Sequence, residues 1–333
     1  MSNAARRLAL ITTLASGLAL ASGIAAAQGS KPLNLMVPYP AGGLSDTIAR
    51  IVEKPLGKAL GQQVIVENVG GVAGAIGAQK VLAAPADGGY LYQGSPNELI
   101  LAPMALTAVK YKSEDFRLVQ MIGAFPIAIL ARKGLPANNV DELVALARTS
   151  AAEGKPLTYG SVGVGSFYHV LGAHFAHSIG TPMTHIPYKG IAPILQDMGG
   201  EMVDIAIIVV GEQQIGLAQQ GRLKVLGTLA PAGKVEAAIL KPYPSINDSK
   251  SFKDFAFNIW TGYFVRKDTP EPVVQALHKA LNATLGDAEV RTQLEKIGGM
   301  LAPVRVQAEV DREYAAQTER FRGIAKAIKL EAQ

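Results

Sequence analysis

The chain has 333 residues, 49% of them hydrophobic and 18% charged, with a formal charge of +5. That length supports two domains with cores of their own, and the mild positive excess is spread along the chain without the Lys/Arg runs that bind nucleic acid. There is no cysteine, which excludes disulfides, thiolate metal sites and a cysteine nucleophile.

The first segment, MSNAARR, carries two arginines and no acid; LALITTLASGLALASGI is apolar but diluted by Ser, Thr and Gly; AAAQ then sets small residues at Ala25 and Ala27 before Gln28. These three parts predict a secretory signal peptide over residues 1–27, cleaved near Ala27, with an uncleaved membrane anchor as the alternative. Cleavage takes Arg6 and Arg7 with it. No cysteine follows the apolar run to carry a lipid, so a soluble periplasmic protein is expected. Later apolar segments are each interrupted by charges or Gly/Pro, and none is expected to span a bilayer.

From Leu33 onward, strand-like and helix-like segments alternate. LNLMV reads as a strand, 44–60 as a helix kinked or broken at Pro55, QQVIVENV as a strand, 74–84 as a helix after a glycine turn, and GYLYQGS as a strand. Arg117 to Lys133 reads as a long strand, or a pair, crossing the molecule. DELVALARTS has an acidic first turn and helical spacing. PLTYGSVGVGS is a strand and glycine loop, FYHVLGAHFAHSIG a helix ending at Gly180, MTHIPYKG a strand and APILQDMGG a short helix. VDIAIIVV, RLKVLGTLA and FNIWTGYFV, with the sole Trp260, read as strands, and the tail from Pro270 as helices. The alternation predicts an α/β fold with mostly parallel sheets flanked by helices.

One unit occurs twice. LNLMVPYPAGGLSDTIARIV and LTYGSVGVGSFYHVLGAHF each run strand, glycine loop, helix, and each puts a hydroxyl, Ser45 or Ser166, at the helix start. Asp46 is positioned to cap the first helix. If the loops belong to two domains, two positive helix ends face each other across a cleft and can hold a carboxylate without a cationic side chain. The alternative is two ordinary strand-to-helix turns. Neither loop fits the phosphate-loop or dinucleotide pattern, and GGVAGAIGA has glycines at the wrong spacing for a nucleotide site. It reads as a tight turn and helix start.

His174 and His177 are helix neighbours, but His169 lies two turns before His177 and no carboxylate sits beside them, so no metal site is expected. His169 lies one turn into its helix and either reaches the ligand of the loop or packs beneath it. Gly94-Ser95 and Gly160-Ser161 lack the glycine pattern of a nucleophile elbow. A Ser166–His169 pairing, the basis of an exported α/β hydrolase, has no further support in the sequence. Asp204, at a strand start, reads as a structural cap or interdomain contact, and no carboxylate pair is placed for acid–base work.

Taken together, PYPAGGLSD, GQQVIVENVGGVAGAIGA, ADGGYLYQGS, YGSVGVGSFYHVLGAHF, HIPYKGIAPILQDMGGEMVDI and TPEPVVQALHKALN, in that order, resemble the solute-binding proteins of tripartite tricarboxylate transporters, the Bug family. The resemblance covers nearly all of the chain after residue 27. It implies a two-domain periplasmic binding fold, type II-like, with a hinged cleft in which two loops grip a ligand carboxylate. Carried onto this sequence, the first loop gives Tyr39, Pro40, Ala41, Gly42, Gly43, Ser45 and Asp46. The second gives Ser161, Gly163, Val164, Gly165, Ser166 and His169. The edge after GYLYQGS gives Ser95, Asn97 and Glu98, and Tyr188, Lys189 and Gly190 lie near the cleft. Lys189 is either a ligand cation or part of the interdomain wall.

The departures sit mainly at the far end of the ligand. Leu44 stands where many members have Ser or Thr, and Val162 where Pro is usual. Asn97 and Glu98 replace what is often small. After VDI the run is apolar, Ala206 to Val210, followed by Gly211, Glu212 and Gln213. These changes predict a ligand gripped by one carboxylate, with a distal part that is either less polar or carries an amine or hydroxyl facing Glu98 or Glu212. The expectation is therefore a non-enzymatic, monomeric periplasmic protein without cofactor. It would capture a small organic anion for the membrane permease subunits of a tripartite transporter. Domain one is expected over 28–128 plus 230–333 and domain two over 129–229. A ligand-sensing receptor subunit for a sensor kinase is the alternative the sequence leaves open.

Overall fold

A computed structural model describes residues 31–327 and Leu330. The export segment expected over residues 1–27 lies outside the described residues. The chain order is β1 (Leu33–Val37), α1 (Leu44–Leu60), β2 (Val64–Asn68), α2 (Ala75–Ala83), β3 (Tyr90–Gly94), a π-helical turn (Asn97–Leu101) running into α3 (Ala102–Ala105), and β4 (Phe116–Arg132). Then come α4 (Val140–Ala152), β5 (Thr158–Ser161), α5 (Phe167–Ser178), β6 (Thr184–Pro187), α6 (Ile191–Gly199), β7 (Ile205–Val209), α7 (Glu212–Gln219) and β8 (Leu223–Thr228). The chain closes with β9 (Asn258–Arg266), α8 (Glu271–Gly286), α9 (Ala288–Lys296), β10 (Met300–Leu301) and α10 (Gln307–Ala327).

The strands form two mixed sheets that share β4. In the first, β2, β1 and β3 are parallel, and β9 joins β3 to β4 by antiparallel ladders. In the second, β6, β5 and β7 are parallel, and β4 pairs antiparallel with β7 and β8. The parallel arrangement expected from the alternation holds in the outer strands, while the strands that cross between the sheets run antiparallel. β4 is a single 17-residue strand; it pairs with β9 as far as Pro126 and with β7 from Ile127. Nearly every β4 residue is buried, because helices cover the sheet faces, and β7 is buried throughout.

α1 runs unbroken through Pro55, where a kink or break was expected. The proline removes one intrahelical hydrogen bond, and packing of the buried face, Ile48, Ala49, Val52 and Leu56, holds the helix together across it. Gly61, in the left-handed conformation with φ 65°, closes the C-terminus. Among the described residues no helix is long and apolar enough to cross a membrane.

The parallel strands of both sheets point their carboxyl ends toward a common cleft, the usual place for a ligand site in open α/β sheets. The loops after β1, β3, β5 and β6 therefore converge there.

Candidate functional site

The first loop is fixed from three sides. Asn68 Nδ2 donates to the Tyr39 carbonyl (3.0 Å), Gln93 Nε2 donates to the Ser45 carbonyl (2.9 Å), and Gly42 N–H donates to Asp46 Oδ2 (3.0 Å). Asp46 is buried and its other oxygen lies 3.3 Å from Arg50 Nε. Asp46 was expected to cap the helix; instead α1 begins two residues earlier, Gly43 occupies the cap position, and Asp46 closes the loop behind it. Glycine has no side chain to satisfy the first-turn N–H groups, so they carry no side-chain cap.

A second helix start of the same kind faces it. α6 is capped by Gly190, again without a side-chain hydrogen bond. Gly190 lies against Pro40: a Cβ on Gly190 would stand 3.4 Å from Pro40 Cδ. A Cβ on Gly70 would stand 3.0 Å from the same atom, so the proline is held between two glycines. Two uncapped helix N-termini, one from each sheet, thus meet at one contact.

They open onto a cleft of about 720 Å³, counting space open to solvent. Tyr39, Pro40, Ala41, Gly43, Leu44, Ser45 and Ile48 form one wall. Gly190, Ile191, Ala192 and Pro193 form the opposite wall, with Val162 and Tyr168 beside them. Ser95 and Asn97 close one end; Phe125, Val209, Ile259, Trp260 and Thr261 come from the crossing strands. Of the residues expected at a ligand, Tyr39, Pro40, Ala41, Gly43, Ser45, Ser95, Asn97 and Gly190 line this cleft. Gly42 and Asp46 stand just behind the wall as the loop's own bracing.

Glu98 also lies behind the wall. It is fully buried, and its carboxylate accepts hydrogen bonds from Ser95 N–H, from Ser95 Oγ (3.0 Å) and from the Tyr39 hydroxyl (3.0 Å). Burial, opposed by these hydrogen bonds, pushes its pKa up to about 7. Asn97 Nδ2 donates to the Tyr39 hydroxyl (3.0 Å), and its Oδ1 accepts from Phe167 N–H at the start of α5. Glu98, Tyr39, Asn97 and α5 thus form one chain of hydrogen bonds from the first loop to the second. Glu212, the other acid considered for a distal contact, is exposed at the start of α7 and is not on the cleft wall.

The second loop presents less than the sequence suggested. Ser166 caps α5 by accepting from His169 N–H (3.2 Å), and Phe167 N–H is taken by Asn97. Ser166 N–H donates to the Gly163 carbonyl (3.2 Å), Gly163 N–H to Ser161 Oγ (3.2 Å) and Gly165 N–H to His169 Nδ1 (3.1 Å). With the N–H groups of Gly163, Gly165, Ser166 and Phe167 engaged, the loop reaches the cleft through Val162; Ser161, Gly163, Val164, Gly165, Ser166 and His169 are off the wall. His169 stacks on His185 at 4.0 Å beneath the loop, and burial lowers its pKa. Lys189 is exposed and off the wall, and the Tyr188 hydroxyl donates to Asp197 Oδ2 (2.6 Å) on α6.

A serine–histidine pair does exist, but between Ser161 and His185 (Oγ···Nε2 2.7 Å), not Ser166 and His169. Ser161 is fully buried and its Oγ is engaged with both the N–H and the carbonyl of Gly163. Burial and then the neighbouring His169 pull the His185 pKa down to about 4. A nucleophile needs access to its substrate, and this hydroxyl has none; the pair braces the loop.

Besides Ile48 and Tyr168, two groups of residues line the cleft without having been expected there. Ile191, Ala192 and Pro193 follow a glycine that opens a helix, the signature already noted in the first loop, so KGIAP carried a usable signal. Phe125, Ile259, Trp260 and Thr261 lie on strands buried on both faces, whose sequences show no alternation to mark a cleft side, whereas Val209 belongs to the apolar run Ala206 to Val210 already placed at the distal end.

The family described as tripartite tricarboxylate transporter family receptor matches residues 48–330. The UPF0065 protein of the TAR-I ttuE-ttuC' intergenic region of Agrobacterium vitis is 32% identical over 301 residues, covering 90% of this chain and 84% of that protein. Among solved structures, the periplasmic binding protein BugD superposes with a TM-score of 0.80 at 27% identity, covering 91% of this chain and 99% of its own. An R. palustris protein solved with adipate gives 0.83 at 25% identity, covering 92% and 100%.

Proposed function

Because the chain belongs to the tripartite tricarboxylate transporter family receptors, we propose that it is a periplasmic solute-binding protein. It captures a small organic carboxylate between two lobes and delivers it to the membrane permease subunits of a tripartite transporter. The observation that carries this reading is the meeting of two uncapped helix N-termini, α1 and α6, on one cleft whose described lining residues include no Lys, Arg or His.

Each helix end favours a nearby anion by about 0.3–1 kcal/mol, and a hydrogen bond to a charged group adds about 1.5–3 kcal/mol. Micromolar capture corresponds to about −8 kcal/mol, within reach of a few such donors plus desolvation of the cleft, without a salt bridge. The grip assigned to the first loop falls to Gly43, Ser45 and the N–H groups around them. The second loop, Ser161 to Ser166, serves as support, and Gly190 with Ile191 supplies the facing donors. The lobes are residues 28–128 with 230–333, and 129–229. The change of β4 pairing from β9 to β7 between Pro126 and Ile127 supports that division. Closure is a hinge motion about the strands that join them. The adipate-bound relative supports a carboxylate as ligand class, and the description of BugD as a periplasmic binding protein supports the periplasmic location.

A thermal-shift panel of organic acids and their neutral amides tests this. A ligand that binds only the folded state raises the melting temperature. Acids are expected to raise it and their amides not. Equal shifts from amides, or no shift from any acid, would contradict the reading.

A further inference from the structure

We propose, resting on the carboxylate reading above, that the ligand is a monocarboxylate with an apolar body bearing one hydrogen-bond acceptor for Trp260, and that the cleft rejects dicarboxylates. The wall beyond the two helix starts is apolar. It consists of Leu44, Ile48, Phe125, Val209, Ile259 and Trp260. All but Leu44 are at least nine-tenths buried, so there is little water there to solvate a second charge.

A carboxylate carried past Leu44, the first residue of α1, to Ile48, Phe125, Val209, Ile259 and Trp260 would meet no cationic side chain. An ion taken out of water without a partner is strongly disfavoured. The buried acid that braces the wall brings no positive charge either: Glu98 is hydrogen-bonded to the Tyr39 hydroxyl. Arg50, the closest cation on α1, is paired with Asp46 and Glu53. An apolar body, in contrast, gains from covering these side chains.

Trp260 adds the second observation. It lines the cleft, is 4% exposed, and its Nε1–H is buried with no hydrogen-bond partner among the described residues. Its ring is held by Phe264 (centroids 6.1 Å apart) and edge-on by Tyr314 (6.2 Å). A buried donor without an acceptor is unusual, and an ether, hydroxyl or carbonyl oxygen on the ligand body would supply one. The neighbouring Thr261 hydroxyl is already committed to the Gly94 carbonyl (3.0 Å).

Titration calorimetry on the purified protein separates the two levels of the claim. The probes are hexanoate, hexanamide and adipate, with benzoate, benzamide and benzene-1,4-dicarboxylate as a ring series. The monoacids are expected to bind at least about tenfold more tightly than both the diacids and the amides, a factor of ten being a modest share of a micromolar affinity. A diacid that binds as well as its monoacid overturns this inference and leaves the carboxylate reading standing. An amide that binds as well as its acid, or no binding in either series, overturns the carboxylate reading itself. For Trp260, 4-methoxybenzoate is compared with 4-methylbenzoate on the native protein and on Trp260→Phe. The native protein is expected to prefer the methoxy acid severalfold, and the variant to lose that preference while still binding the methyl acid, which also reports that it has folded. An unchanged preference in the variant removes Trp260 from the account.

Discussion

Glu98 sits where a ligand contact was expected, yet its side chain is turned inward by the π-helical turn Asn97–Leu101 and held by Ser95 and Tyr39. Nothing in SPNEL distinguishes that turn from an ordinary loop, so the residue was legible in position but not in orientation. Burial, together with the charge of Glu98, raises the pKa of the Tyr39 and Tyr92 hydroxyls, so both stay protonated donors at neutral pH. The Glu98 pKa rises from the ordinary 4.5 to about 7 on folding, so the folded protein holds a proton that the unfolded chain has lost. The associated stability is complete below pH 4.5 and is lost as pH rises through about 7, up to about 3 kcal/mol if the whole shift is realised. His185 works in the opposite direction: its lowered pKa costs stability as pH falls from about 6.5 toward 4. The clean readout is therefore the difference between native protein and Glu98→Gln. A glutamine can still accept from Ser95 N–H but its amide reverses the Tyr39 bond, a cost that does not depend on pH, so the variant is expected to gain stability relative to native protein as pH rises from 5 to 8 in urea denaturation. A pH-independent difference would show that Glu98 does not titrate there.

At the scale of elements, the two strand–loop–helix units look alike in sequence and differ in what their glycines do. In the first, Gly43 leaves the start of α1 uncapped. In the second, Ser166 caps α5 with its own side chain, and Gly165 lets the loop press against α3. Gly165 has φ +77°, and a Cβ there would stand 2.4 Å from Ala105 Cβ. Gly165→Ala is thus expected to destabilise the protein by roughly 1–3 kcal/mol from overpacking and the left-handed backbone together, measured as a lower urea midpoint with an unchanged slope. An unaltered midpoint would mean that α3 and the loop are not packed as described. The repeated glycine motif was readable from the sequence. Which copy keeps free donors was not, because that depends on Asn97 reaching across from another element to Phe167. The real partner of α1, the start of α6 after Gly190, was recognised as near the cleft but not as a donor surface.

For the molecule as a whole, the alternation of strands and helices made the architecture legible, including a long strand or strand pair over Arg117 to Lys133, which is one strand that both sheets share. Strand direction was less so: the periodicity of a buried strand is the same in either direction, and β9 returns to β4 and β3 antiparallel from far along the chain. The same burial hid the floor of the cleft, since Phe125 and Trp260 read as ordinary core residues. The proposed grip joins the two lobes through their helix ends, and a crystal structure with the tightest-binding acid is its test. The expected result has the ligand carboxylate within hydrogen-bond distance of backbone N–H groups at the starts of both α1 and α6, near Ser45 and Ile191. A carboxylate found instead against the second loop at Gly163–Ser166, or paired with Lys189, would contradict it.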